Sequence, residues 1–113
     1  MISRRPPSVL PDAPADLVAV AIGGEVILAW TERGAGGIGF RIERADGIGQ
    51  ARRYSEIGRT GPYVAAFRDG SVRPRTTYSY RVHAWNASGD SPPSNVVEVT
   101  TPRADADPQP DKE

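Results

Sequence analysis

Thr77-Tyr78-Ser79-Tyr80-Arg81-Val82-His83-Ala84 is the stretch that decides the fold. Tyr78, Tyr80, Val82 and Ala84 fall on one side of an extended chain. Ser79, Arg81, His83 and then Trp85 fall on the other. Alternation with period two is the mark of a strand with one buried face. Working outward, Pro74 pre-sets φ for a turn into this strand. After it, Asn86 to Pro93 is rich in turn residues, and Val96-Val97-Glu98-Val99-Thr100 reads as a closing strand with Val97 and Val99 inward. The N-terminal half repeats the pattern. Leu17-Val18-Ala19-Val20-Ala21 is a first strand that turns at Gly23-Gly24. Val26-Ile27-Leu28-Ala29-Trp30 is a second, with Val26, Leu28 and Trp30 on one face. Phe40-Arg41-Ile42-Glu43-Arg44, Arg53-Tyr54-Ser55-Glu56-Ile57 and Tyr63-Val64-Ala65-Ala66-Phe67 supply three more. Seven short strands with turn signals between them, and no helical period, predict a two-sheet all-β sandwich. Its core is expected around Trp30, Tyr78, Tyr80, Leu28, Ile42 and Val82.

Composition agrees. The chain has 113 residues, enough for one ordinary domain. Twelve glycines and 11 prolines are spent on turns. Residues 1–13 read as a proline-rich arm, 14–102 as the domain and 103–113 as an acidic polar tail. The absence of cysteine rules out a disulfide framework. Basic and acidic residues balance at 14 each, so there is no electrostatic footprint for nucleic acid or an anionic membrane. No apolar run is long enough to span a bilayer. Met1 to Pro7 carries the basic pair Arg4-Arg5 but no hydrophobic stretch, so it is not a secretory signal.

At these residues the chain resembles a fibronectin type III module. Pro14-x-x-Leu17, Val26-x-Leu28-x-Trp30 and Phe40-x-Ile42-x-Arg44 are similar to that family's first three strands. Phe67-x-Asp69 with Val72-x-Pro74-x-Thr76-x-Tyr78-x-Tyr80-x-Val82 is the most specific match. It implies that Tyr78 is a tyrosine-corner residue. Asn86-x-x-Gly89-x-Ser91-x-x-Ser94 and Thr100-Thr101-Pro102 resemble the last loop and the exit. The resemblance covers about residues 14–102 and implies a seven-stranded, Ig-like sandwich acting as a spacer, an adhesive unit or a ligand-binding unit. The Arg-Gly-Asp tripeptide of some members is absent, since Arg68-Asp69-Gly70 has the wrong order.

Catalytic readings fare poorly against plainer ones. His83 is the sole histidine, and it reads as a surface residue without a positioned nucleophile. One histidine and no cysteine cannot make a four-ligand zinc site, so no metal or cofactor is expected. Glu43 and Glu98 read as solvated outward acids, and Asp69 as a turn residue bonding local backbone. The glycine-rich Gly34-Ala35-Gly36-Gly37-Ile38-Gly39 lacks a phosphate-loop lysine and reads as a connection. Asn86-Ala87-Ser88 fits a glycosylation pattern but is explained by a turn in which Asn takes positive φ.

The remaining candidate is an outward aromatic. Alternation places Trp85 beside His83 and Arg81 and across from Arg41 and Glu43, with Tyr54 extending the face. Two readings stay open: a protein-binding hot spot, or a cation–π cover on the sheet. Arg4 and Arg5 of the arm are further contact candidates. The expected function is therefore a non-catalytic module that binds protein partners in a larger assembly, such as a virion, as a capsid decoration or tail component. The alternative is a spacer or adhesion module of a secreted multidomain protein, with carbohydrate as a second ligand class. The expected location is a virion or a cell surface.

Overall fold

The computed structural model describes residues 9–34, 37–46 and 53–103. Eight antiparallel strands form two sheets. The first sheet joins β1 (Ala15–Ile22), β2 (Glu25–Thr31) and β5 (Ala66–Asp69) in the order β1-β2-β5. The second joins β4 (Ser55–Thr60), β3 (Gly39–Asp46), β6 (Thr77–Asn86) and β7 (Gly89–Asp90), with β8 (Val97–Thr100) also on β6. All seven expected strands are present; β7 is an added two-residue segment. The fourth and fifth strands start later than expected, so Tyr54 precedes β4 and Tyr63 and Val64 lie in the connection before β5.

Local chemistry sets the register. Gly23 and Gly24 have φ of 58° and 84°, the positive pair of a two-residue hairpin turn, and this pins Ile22 opposite Glu25. At the other end of β1, Asp16 takes φ 57° where the pairing shifts. The Leu17 N–H donates to Asn95 Oδ1 at 2.9 Å, and Asn95 Nδ2 donates to the Leu17 carbonyl at 3.0 Å. This reciprocal clamp holds Leu17 in the core.

The inner faces supply Leu17, Val26, Leu28 and Trp30 from one sheet and Phe40, Ile42, Tyr78, Tyr80, Val82 and Ala84 from the other. Trp30 and Phe40 meet edge to face across the gap, with centroids 5.4 Å apart. All six expected core residues are buried. The Arg73 N–H donates to Tyr78 Oη at 2.7 Å, so the tyrosine hydroxyl ties β6 back to its own entry turn. Tyr78→Phe is expected to lower stability by about 1 kcal/mol without loosening the core, because a part-buried amide loses its acceptor. Equilibrium urea unfolding checks this; an unchanged midpoint would show that the hydroxyl holds nothing.

Two serines complete the edge of β6 where no strand pairs with it. Ser94 Oγ accepts from the Val82 N–H at 3.0 Å, and Ser91 Oγ from the Ala84 N–H at 2.9 Å. Their own amides donate to the carbonyls of Val82 and Ala84. Pro92 and Pro93 between them have no N–H to offer, so hydroxyls stand in for a ladder. Val9 to Pro11 lie at the β6–β7 end, where Asn86 Nδ2 donates to the Val9 carbonyl at 3.0 Å. Thr101 to Arg103 lie at the opposite end, beside Gly23-Gly24 and Pro74.

Candidate functional site

The structure gathers Trp85, His83, Arg81, Arg41 and Tyr54 onto the outer face of the second sheet, while Arg4 and Arg5 lie outside the described residues. Three of these sequence-based expectations need correction. Trp85 stands opposite Gly39; Arg41 is opposite His83, and Glu43 opposite Arg81. His83 is buried: Nδ1 lies 2.8 Å from the Ser91 carbonyl and Nε2 3.1 Å from Glu43 Oε1. Glu43 is buried too, 8% exposed, rather than solvated. Alternation assigned these residues to the outer face correctly. Burial came from long neighbouring side chains laid over them, which period two does not encode.

Glu43 is the centre of this cover. It accepts from Arg81 Nε at 2.6 Å, from Arg41 Nη1 at 3.0 Å and faces His83. Burial pushes its carboxyl upward, but the hydrogen bonds from Arg81 and His83 outweigh this and hold it below the usual range. Arg41 reaches on to Asp90 at 2.6 Å and Glu56 at 3.4 Å, and Arg59 pairs with Glu56 at 2.7 Å. Two guanidiniums lie over rings: Arg59 over Trp85 at 5.0 Å and Arg81 over Tyr54 at 4.0 Å. Gly39 makes room for Trp85, since a Cβ there would fall 2.8 Å from Nε1. The arginines that would have met a partner are already committed to acids and rings of the same face. The geometry matches a cation–π cover.

Asp69, expected in a turn, does accept from the Ser71 N–H at 3.1 Å. It is also buried, accepting from Tyr80 Oη at 2.7 Å and from Arg44 Nη1 at 2.9 Å. Burial raises the Asp69 carboxyl, yet Tyr80, Ser71 and Arg44 together hold it low. Both Asp69 and Glu43 thus have folded pKa values below their unfolded ones. Their stabilisation is present above the unfolded values, near pH 4, and is lost as pH falls through the folded ones. Unfolding midpoints measured from pH 6 to pH 2 should fall steadily below about pH 4. A flat profile would show that neither carboxylate is stabilised in the fold. Asn86 Oδ1 accepts from the Ser88 N–H at 2.7 Å, which makes the expected turn. The positive φ there belongs to Gly89, not to Asn86.

Sequence reasoning missed the outer face of the first sheet. Val18, Val20 and Ile22 on β1 are each more than half exposed, at 57%, 56% and 51%. Cross-strand neighbours are Ala29 beside Val18 and Ile27 beside Val20, and Ala66 continues the row on β5. The charges that the face carries are Glu25 and Arg68, paired at 3.3 Å. The signal was legible: β1 reads Leu-Val-Ala-Val-Ala-Ile, apolar at every position, where a strand with one solvated face should alternate. Among the described residues, no group of three His, Cys, Asp or Glu side chains could hold a metal ion.

Structures of known proteins decide the fold. A human fibronectin type III domain aligns over 82% of this chain and 87% of its own, at TM-score 0.66 and 26% identity. An Fn3-like protein from Clostridium thermocellum aligns over 82% and 95%, at TM-score 0.67 and 24% identity. This is a fibronectin type III fold. The same fold recurs in larger proteins: a structure of chicken CNTN1 domains FN1–FN3 matches at TM-score 0.69 and 19% identity, with 33% of that chain covered. Of the twitchin kinase region the fibronectin type III chain covers 18%. No family model and no curated protein sequence matches it.

Proposed function

We propose that this fibronectin type III fold is a non-catalytic, protein-binding module that works inside a larger assembly, with a virion decoration or tail component as its concrete form. The observation that carries the reading is the exposed apolar row of Val18, Val20 and Ile22 on the first sheet, continued by half-buried Ile27. An apolar patch on a small domain, bordered by an ion pair that satisfies itself, reads as a contact surface. The Trp85 face contributes less, because its charges are satisfied internally. A second reading, a spacer in a secreted multidomain chain, is favoured by one feature: residues 9–11 and 101–103 lie at opposite ends of the sandwich. The titin, twitchin and CNTN1 fragments, in which such domains are parts of longer chains, support that alternative.

Cosedimentation of the chain with particles from its source separates the two. The assembly reading expects wild-type chain in the particle fraction and Val20→Lys in the supernatant, with equal thermal midpoints, since Val20 buries little within the monomer. Equal partitioning of wild type and variant would overturn the role of this face. Absence of both from the particles would favour the spacer.

A further inference from the structure

We infer that the occupant of the outer face of the first sheet is a second copy of this chain, the two three-stranded sheets stacking face to face. The inference rests on reading that face as a contact surface and names its partner.

The first ground is where β1 spends its apolar volume. Ala19 and Ala21 point inward with Leu17, while the larger Val18, Val20 and Ile22 point out. A slip of one residue would bury the valines instead. The Gly23-Gly24 turn and the Asn95 clamp on Leu17 forbid that slip. The outward valines are thus held in place by the fold, on a strand at the edge of its sheet, where an uncovered apolar row invites association.

The second ground is charge. A two-fold contact sets each patch against its own duplicate, so any unpaired charge on it would meet itself. Here Glu25, opposite Ile22, and Arg68, opposite Ile27, neutralise each other within the face. The whole chain has zero formal net charge, so nothing keeps two copies apart.

The third ground is area. The six apolar side chains leave roughly 400 Å² open, the size at which a patch on a monomer is functional. That is short of the ~800 Å² per partner of a standard interface. A weak, reversible dimer follows, with sheets about 10 Å apart as inside the sandwich itself.

Sedimentation equilibrium on the full chain, from about 10 μM to 1 mM, tests this. Wild type should rise from one chain mass toward two, and added salt should not reverse the rise. Ser55→Lys, on the other sheet, should behave as wild type. Val20→Lys should stay monomeric, and so should Val18→Thr/Val20→Thr, which keeps β propensity if the lysine variant folds poorly. Wild type monomeric throughout would overturn the second copy as occupant, while the contact-surface reading would still be decided by cosedimentation. Association unchanged in both variants would also overturn it, by placing the interface elsewhere.

Discussion

Replacing Trp30 by alanine should cost about 3–5 kcal/mol, the largest loss available from one side chain in this chain. Trp30 is 6% exposed and spans the gap between the sheets, where it meets Phe40 edge to face. Leu28 and Val26 share its strand face and cannot collapse into the space, because the ladders to β1 and β5 fix their positions. A domain this size has ~5–15 kcal/mol in all, so the variant will be largely unfolded at modest denaturant or temperature. Trp30→Phe should lose far less. It keeps an aromatic edge toward Phe40, and it removes an indole N–H that is buried without a hydrogen-bond partner among the described residues. Urea unfolding of both variants decides the matter. Equal midpoints for wild type and Trp30→Ala would mean that the ring does not join the sheets.

Asp69→Ala should be the next most damaging change, at about 3 kcal/mol. It strands a buried Tyr80 hydroxyl and the Ser71 amide and takes from Arg44 its nearest carboxylate, leaving the guanidinium to Ser71 Oγ and Asp46. The figure sits at the low end for a broken buried pair because the Arg44 side chain is 19% exposed and can recruit water. Two controls separate this network from simple loss of a turn. Adding Tyr80→Phe to Asp69→Ala should recover part of the loss, since the stranded hydroxyl is gone. The gap between wild type and Asp69→Ala should also narrow in acid. Asp69 has a lowered folded pKa, so its contribution exists above the unfolded value and disappears as pH falls. A gap of constant size from pH 7 to pH 2 would assign the effect to the turn alone.

The sandwich was legible because period two survives in most strands. Tyr78, Tyr80, Val82 and Ala84 on one side of β6 needed no tertiary information, and neither did Leu28 and Trp30 on β2. The resemblance to a fibronectin type III module implied a tyrosine-corner role for Tyr78, and its hydroxyl does reach the Arg73 amide. Reading failed where one residue answers to two constraints. His83 and Glu43 were placed on the correct face but judged exposed. Glu43 is met by Arg81 and Arg41, and His83 by the Ser91 carbonyl and Glu43, partners that come from separate segments. The apolar run of β1 from Leu17 to Ile22 was missed although its lack of alternation was visible, because each residue by itself suits a strand.

The sequence by itself determined the number and order of the main strands, the inward residues of β2, β6 and β8, and the Gly23-Gly24 turn between β1 and β2. These follow from backbone geometry and local residue chemistry, which act over a few positions. Only the tertiary structure decided which acids and bases meet, that Asp69 serves both a turn and the core, and which sheet face remains uncovered. Those outcomes depend on pairs far apart in the chain, such as Glu43 with Arg81 and Leu17 with Asn95, brought together by the stacking of two sheets. A period of two states which way a side chain points and is silent on what it meets there.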